Sequence, residues 1–132
     1  MMKRSMLVIV LALFIGAVAI GSTDEARREP TQTERPWTKV DSKSYARDQL
    51  NKFTHRQYKC LSALWGKESG WNPRAYNSTK VMGRNAGGIP QLLGLSPSSA
   101  PTVQIERGLD YIYHRYLTPC QAWHHWKKYR WY

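Results

Sequence analysis

Glu68 stands where an apolar helical stripe meets a stop signal. Leu61, Leu64, Trp65 and Glu68 recur at i, i+3, i+4 and i+7, one face of a helix. Gly70 and Pro73 follow within the stretch Trp65-Gly66-Lys67-Glu68-Ser69-Gly70-Trp71-Asn72-Pro73. A glutamate on that face is turned toward the core or a cleft wall, where desolvation favours the neutral acid and raises its pKa. A carboxylic acid still protonated near neutral pH is what cleavage of a glycosidic bond requires. The same spacing also suits a solvated helix-end glutamate that happens to lie beside a tryptophan.

Few other groups compete for such a role. From Asp41 onward the chain has five carboxylates: Asp41, Asp48, Glu68, Glu106 and Asp110. Asp41 and Asp48 fall in or before a polar first helix and read as surface residues. Glu106 and Asp110 lie at i, i+4 on the flank of a later helical stripe. They either offer a second carboxylate or form a solvated flank, with Asp110 pairing His114 at i+4. The pattern as a whole favours a one-carboxylate site. The same segment has 14 Lys/Arg against 5 Asp/Glu, a net charge of +9. That excess points to an acidic partner such as an anionic wall polymer or lipid, although it also serves simple solubility. Among the tryptophans, Trp65 belongs to the packing stripe, and Trp71, just past the stop, is equally suited to the core or to the site. Trp37, Trp123, Trp126 and Trp131 suit core packing or surface contact.

The elements that must hold Glu68 are helical. Asp41 or Ser42 is placed to cap a first short helix through Leu50. Thr54 with Gln57 forms a capping-box pattern for the helix that ends near Ser69, with Gly70 as its C-terminal stop. Asn72 to Gly88 is a polar, glycine-containing connection with room for one small hairpin in the Asn77–Gly88 region. Thr102 is placed to cap the next helix, whose buried stripe is Ile105, Leu109, Ile112, Tyr113 and Tyr116. Thr118-Pro119-Cys120-Gln121 is a capping box with proline at the first helical position, and Lys127 and Lys128 suit the end of that last helix. The expected fold class is all-α, mainly helical, with at most that hairpin.

Three regions follow one another along the chain. Residues 1–21 read as a signal peptide or membrane anchor: Lys3 and Arg4 precede an apolar run from Met6 to Ile20, and Ala17-Val18-Ala19 and Ala19-Ile20-Gly21 are small-x-small cleavage patterns. The run is shorter than the about 20 residues a spanning helix needs, although Gly21, Ser22 and Thr23 can extend it into an anchor. Residues 22–40, rich in Thr, Glu, Arg and Pro, read as a disordered linker, and residues 41–132 as one small domain. An export signal places the domain outside the cytoplasm, secreted or at the cell envelope, and argues against a nucleic-acid partner. In that compartment Cys60 and Cys120 suggest one disulfide, which would stabilise the fold by about 4 kcal/mol in the chain-entropy picture. The competing reading is a metal site of Cys60, Cys120 and His114, His124 or His125, which lacks any compact CxxC or HxxxH pairing. No metal or cofactor is expected.

The ordered set LWGKESGWNP (Leu64–Pro73), AGGIPQ (Ala86–Gln91), QIERGLDYIYHRY (Gln104–Tyr116), TPCQAWHHW (Thr118–Trp126) and the closing Trp131-Tyr132 resembles the lysozyme-like lytic transglycosylases, in particular the small secreted forms of actinobacteria and their phages. The resemblance spans nearly the whole domain. It implies a lysozyme-like fold with Glu68 as the single catalytic acid/base. It implies that Ser69 lies near the acid, able to bond it or substrate, and that Gly88, Ile89 and Gln91 belong to the loop lining the glycan cleft. Tyr111 becomes an aromatic facing the acid, and Cys60–Cys120 the cysteine pair of the secreted forms; Trp71, next to Glu68 in sequence, is placed to line the same site or to pack. The implied partners are peptidoglycan glycan strands, met by a monomer, with membrane association through the N-terminal segment.

Val81-Met82-Gly83-Arg84-Asn85 departs from the pattern as a local insertion. Leu117 stands where the family has glycine, and Leu92-Leu93-Gly94 lacks the proline usual after the glutamine. The implied chemistry is protonation of the glycosidic oxygen by Glu68, assistance by the substrate's N-acetyl group, and attack by the sugar's own C6 hydroxyl to leave a 1,6-anhydro end. A lysozyme-like hydrolase is the near alternative. An inactive peptidoglycan-binding module, or a basic membrane-active protein, is the alternative of another class.

Overall fold

The computed structural model describes residues 35–50 and 54–132. The expected signal or anchor segment, and the linker up to residue 34, lie outside them. Four helices and a small antiparallel sheet follow in the order α1 Lys39–Gln49, α2 His55–Glu68, β1 Tyr76–Val81, β2 Arg84–Gly87, β3 Leu92–Leu93, α3 Pro101–Tyr116 and α4 Pro119–Tyr129. The molecule is therefore mostly helical, but the one hairpin allowed by the sequence has acquired a third strand.

Two of the four helices, α1 and α4, start where a threonine side chain takes up a free N–H group. The α1 cap is Thr38, in a reciprocal capping box with Asp41, and not Asp41 or Ser42 themselves. Asp41 is also no surface residue. It is 6% exposed and receives both guanidinium nitrogens of Arg35 at 2.7 and 2.6 Å. Those bonds and the ones from Thr38 hold its carboxyl well below the usual carboxylate range. Trp37 Nε1 donates to Ser42 Oγ at 2.8 Å, so residues read by composition as the end of the linker are fastened to α1.

The Thr54–Gln57 capping box is not made. Thr54 gives α2 no side-chain cap, and Gln57 Oε1 instead accepts the Cys120 backbone N–H of α4 at 2.9 Å. The expected disulfide joins the same two helices, with Cys60 and Cys120 Cα atoms 4.9 Å apart. The thiolates of the competing metal reading are consumed in that bond. On α4, Thr118 Oγ1 accepts from Gln121 N at 3.3 Å with Pro119 in the first turn, one half of the capping box its sequence called for.

The core forms where α2, α3 and α4 meet. Leu61, Leu64 and Trp65 are fully buried, as the stripe required. On α3 the buried positions are Gln104, Ile105, Gly108 and Ile112, while Tyr113 is 59% exposed and leaves the predicted stripe. Thr102 does not cap α3: the cap is Ala100 and Pro101 opens the first turn, as suits a residue without an N–H. Gly108 is required by contact, since a Cβ there would stand 2.6 Å from Trp65 Cζ2 and 2.8 Å from Pro90 Cβ.

The sheet has the order β1-β2-β3. The segment read as an insertion is the tip of its first hairpin. Val81 pairs with Arg84, and Met82 and Gly83 both have positive φ, 51° and 76°, as a two-residue hairpin turn matched to strand twist demands. Asn85 Nδ2 bridges Asn77 O and Ser78 O at 3.0 and 2.9 Å, closing the gap where the register shifts. No described helix is long and apolar enough to cross a membrane.

Candidate active site

Glu68 is the last residue of α2. The chain turns away sharply beyond it: Gly70 and Trp71 both take φ 62°, and the Gly70 N–H returns to Gly66 O at 3.1 Å. Glu68 is partly buried, and burial raises its carboxyl pKa, with Trp126 of α4 as a smaller opposing influence. The negative end of the helix dipole acts in the same direction as burial, since it disfavours a second negative charge. The side chain opens into a cleft of about 600 Å³ walled by the sheet (Asn77, Val81, Leu93), by Gln91, and by Arg130, Trp131 and Tyr132 beyond α4.

The loop of Gly88 to Gln91 is shaped by a residue the sequence reading passed over. Gln104, fully buried on α3, accepts the Ile89 N–H at 2.9 Å and donates to Pro73 O and Ser99 O at 3.0 and 2.9 Å. One carboxamide thus ties the loop to the two chain segments that flank it. Gly88 has φ +73°, and a Cβ on it would lie 2.5 Å from Gln104 Oε1, so no other residue fits. Ile89 is completely buried. Of the loop residues expected in the cleft, only Gln91 lines it. Its Nε2 donates to Gly88 O at 2.9 Å, which directs the side chain over its own turn.

Two other expected site residues, Ser69 and Trp71, support the cleft from behind. Ser69 Oγ donates to Ile89 O at 2.6 Å, which fastens the end of α2 to the loop and leaves no proton for Glu68. Trp71 is 2% exposed, lies edge-on to Trp65 at 5.2 Å and donates to Ser62 O at 3.1 Å; it is core, not cleft. Tyr111 lines a neighbouring groove and meets Tyr132 edge-on at 5.6 Å. Tyr132 is the residue beside the acid. Its hydroxyl accepts Trp65 Nε1 at 2.9 Å and donates to Pro90 O at 2.7 Å. Burial holds its phenol well above the usual range, with the Glu68 charge adding to the effect. Trp131, read as packing or surface, stands half-exposed on the cleft wall.

The remaining carboxylates are elsewhere. Glu106 accepts the Tyr45 hydroxyl of α1, and Asp41 is paired with Arg35. Asp110 lines the neighbouring groove, and it is its backbone carbonyl, not its carboxylate, that meets His114 Nδ1, at 2.7 Å. Among the described residues lining the Glu68 cleft there is no second carboxylate. The arrangement can donate a proton from a desolvated acid beside an aromatic wall, and can take it back. The chain matches no family model, no curated protein and no solved structure.

Proposed function

We propose that the chain cleaves peptidoglycan glycan strands as a lytic transglycosylase, with Glu68 as its one general acid/base. The supporting observation is the setting of Glu68: a carboxylic acid at a helix end, its pKa raised by burial, in an open cleft with no carboxylate on the opposite wall. In this reading Glu68 gives its proton to the oxygen of the bond between N-acetylmuramic acid and N-acetylglucosamine, and the bond from that oxygen to the muramic C1 breaks. Without a carboxylate to trap the oxocarbenium-like centre, the substrate's N-acetyl group assists. The muramic C6 hydroxyl then attacks C1 and returns its proton to Glu68. Intramolecular attack has the advantage of effective molarity over water, and the product is a 1,6-anhydro-muramic end. Trp131 and Gln91 supply the aromatic and amide surface that a sugar needs. The enzyme works as a monomer outside the cytoplasm, secreted or held at the envelope by its N-terminal segment, and neither cofactor nor nucleic acid enters the reaction.

The test is digestion of purified peptidoglycan followed by mass spectrometry of the released muropeptides. Anhydro ends are one water lighter than reducing ends. Mainly hydrated ends would assign the cleft to a muramidase hydrolase, and binding without any release would leave a peptidoglycan-binding module.

A further inference from the structure

We infer that the groove beside the Glu68 cleft is a subsite for the carboxylates of the peptide stem, so that the protein prefers peptide-bearing glycan to bare glycan; the inference rests on the peptidoglycan reading above. The groove encloses about 460 Å³ and shares Gln91, Leu93 and Tyr132 with the cleft, so the two are continuous. Its distinguishing feature is charge. Arg84 enters from β2 and Arg107 from α3, and neither forms an ion pair: the one ion pair among the described residues is Arg35–Asp41, which leaves two positive charges in the groove against the single carboxylate of Asp110. Both arginines are exposed. Arg84 crosses the turn after β3 at Gly94, where a Cβ would stand 3.6 Å from its Cδ.

Two guanidiniums brought to one groove from separate elements repel each other until an anion lies between them, and a planar fork is the donor geometry that suits a carboxylate. Asp110, in the same groove, offers an acceptor for an amine or amide N–H. Peptidoglycan presents such a combination only on the stem, which the muramic lactyl group carries away from the sugar backbone as a peptide with free carboxylates. A strand with its scissile bond at Glu68 has a stem within one sugar unit, which is the step from the cleft to its continuation. Arg84 belongs to the hairpin tip, so the preference would be a property of this chain's own β1–β2 loop.

The test compares three soluble glycan substrates free of other wall polymers: strands with native stems, strands whose stem carboxylates are amidated, and bare strands. The expected wild-type result is a lower KM for native stems, on the order of tenfold, the size of one or two solvent-exposed charge-assisted contacts. Arg84→Gln and Arg107→Gln should each shrink that preference, and the double substitution should abolish it. Equal KM values for the three substrates, or a preference that survives both substitutions, would overturn the subsite. Binding of the same strands to the Glu68→Gln full-length protein, by calorimetry, separates the two ideas. If wild type cleaves nothing, the transglycosylase reading fails. An arginine-dependent loss of affinity on amidation then still upholds the groove, and its absence overturns that too.

Discussion

Replacing Glu68 by glutamine retains the shape and one oxygen acceptor and removes only the titrating proton. If Glu68 is the acid, the loss is the whole contribution of general acid catalysis, about 10²–10⁴-fold in rate, which is about 2.7–5.4 kcal/mol of barrier at 1.36 kcal/mol per decade. The structure adds a second, independent expectation. Burial raises the Glu68 pKa in the folded protein, so the folded state holds the proton more tightly than the unfolded chain. Below the unfolded carboxylate pKa both states are protonated and Glu68 imposes no penalty. As pH rises from there through the raised folded value, the unfolded chain ionises first and wild type loses stability. The glutamine variant does not ionise and avoids that loss. Its Tm should therefore match wild type in acid, exceed it increasingly through that window, and keep a constant advantage above it. Activity should fall on the alkaline side of the same folded pKa in wild type.

Turbidity clearing of purified wall measures the first effect, and thermal melts from acid to neutral pH the second. More than about a tenth of wild-type activity in the variant would refute the catalytic assignment, because general acid catalysis typically contributes at least about 10²-fold. A variant that loses activity and also melts lower at neutral pH would refute the account of a desolvated acid, because the residue would then be a structural carboxylate.

Further outcomes follow from other parts of the fold. Reduction of Cys60–Cys120, or replacement of both by serine, should lower stability by about 4 kcal/mol, read from chemical denaturation. Gln104→Ala leaves the Ile89 N–H and two carbonyls without their partner, and should cost at least about 2 kcal/mol while loosening the Gly88–Gln91 loop. Activity should then fall further than stability alone explains, and a fully active variant would show that the clamp is not needed. Leu117, 63% exposed, sits at φ 68° and ψ −36°, a sparsely populated conformation that strains a side chain by about 1–3 kcal/mol. Leu117→Gly should therefore raise stability by up to about 2 kcal/mol after the entropy cost of glycine, and a fall in Tm would refute the strain argument. Glu106→Gln should leave most wall-clearing activity, since that carboxylate is turned to Tyr45 on α1.

The helices were legible because their signals are local and periodic. The α2 stripe, the Gly70 stop and the Thr118-Pro119 start each depend on neighbours within a turn, and each stands where the spacing put it. Errors arose where a side chain is taken up by a distant partner. Gln57 belonged to a good capping pattern, yet it is used by Cys120, 63 residues away. Asp41 looked solvent-facing until Arg35 reached it from the stretch read as linker. Strand β3 is two residues long, too short for any alternation to register. In the site, Glu68 is visible as a polar residue on an apolar face, whereas Trp71 is drawn to the cleft by nearness in sequence, and Ile89 and Ser69 by the resemblance. A residue adjacent to a cleft residue is as easily the one that holds it from behind: burial places Trp71 and Ile89 in that role, and the bond from Ser69 Oγ to Ile89 O does the same for Ser69.

The support has a consistent direction. Gln104 fixes the loop, Ser69 joins the loop to the end of α2, and Gly108 lets α3 press on Trp65 and Pro90. Tyr132 completes the set by bonding both Trp65 and Pro90 through one hydroxyl. That hydroxyl sits where α2 and the loop diverge, so it ties together the two walls between which Glu68 projects. If that tie also keeps water from the base of the acid, it contributes to the burial that raises the Glu68 pKa. On this account Tyr132→Phe should act through Glu68 and not through substrate. With one buried hydroxyl removed and two partners left short of a bond, the alkaline limb of the activity profile should move toward lower pH as water reaches the carboxyl, while KM changes little. A variant with an unchanged pH profile and a raised KM would instead make Tyr132 a sugar-binding residue, and the desolvation of Glu68 would have to come from the helix end and Trp65 alone.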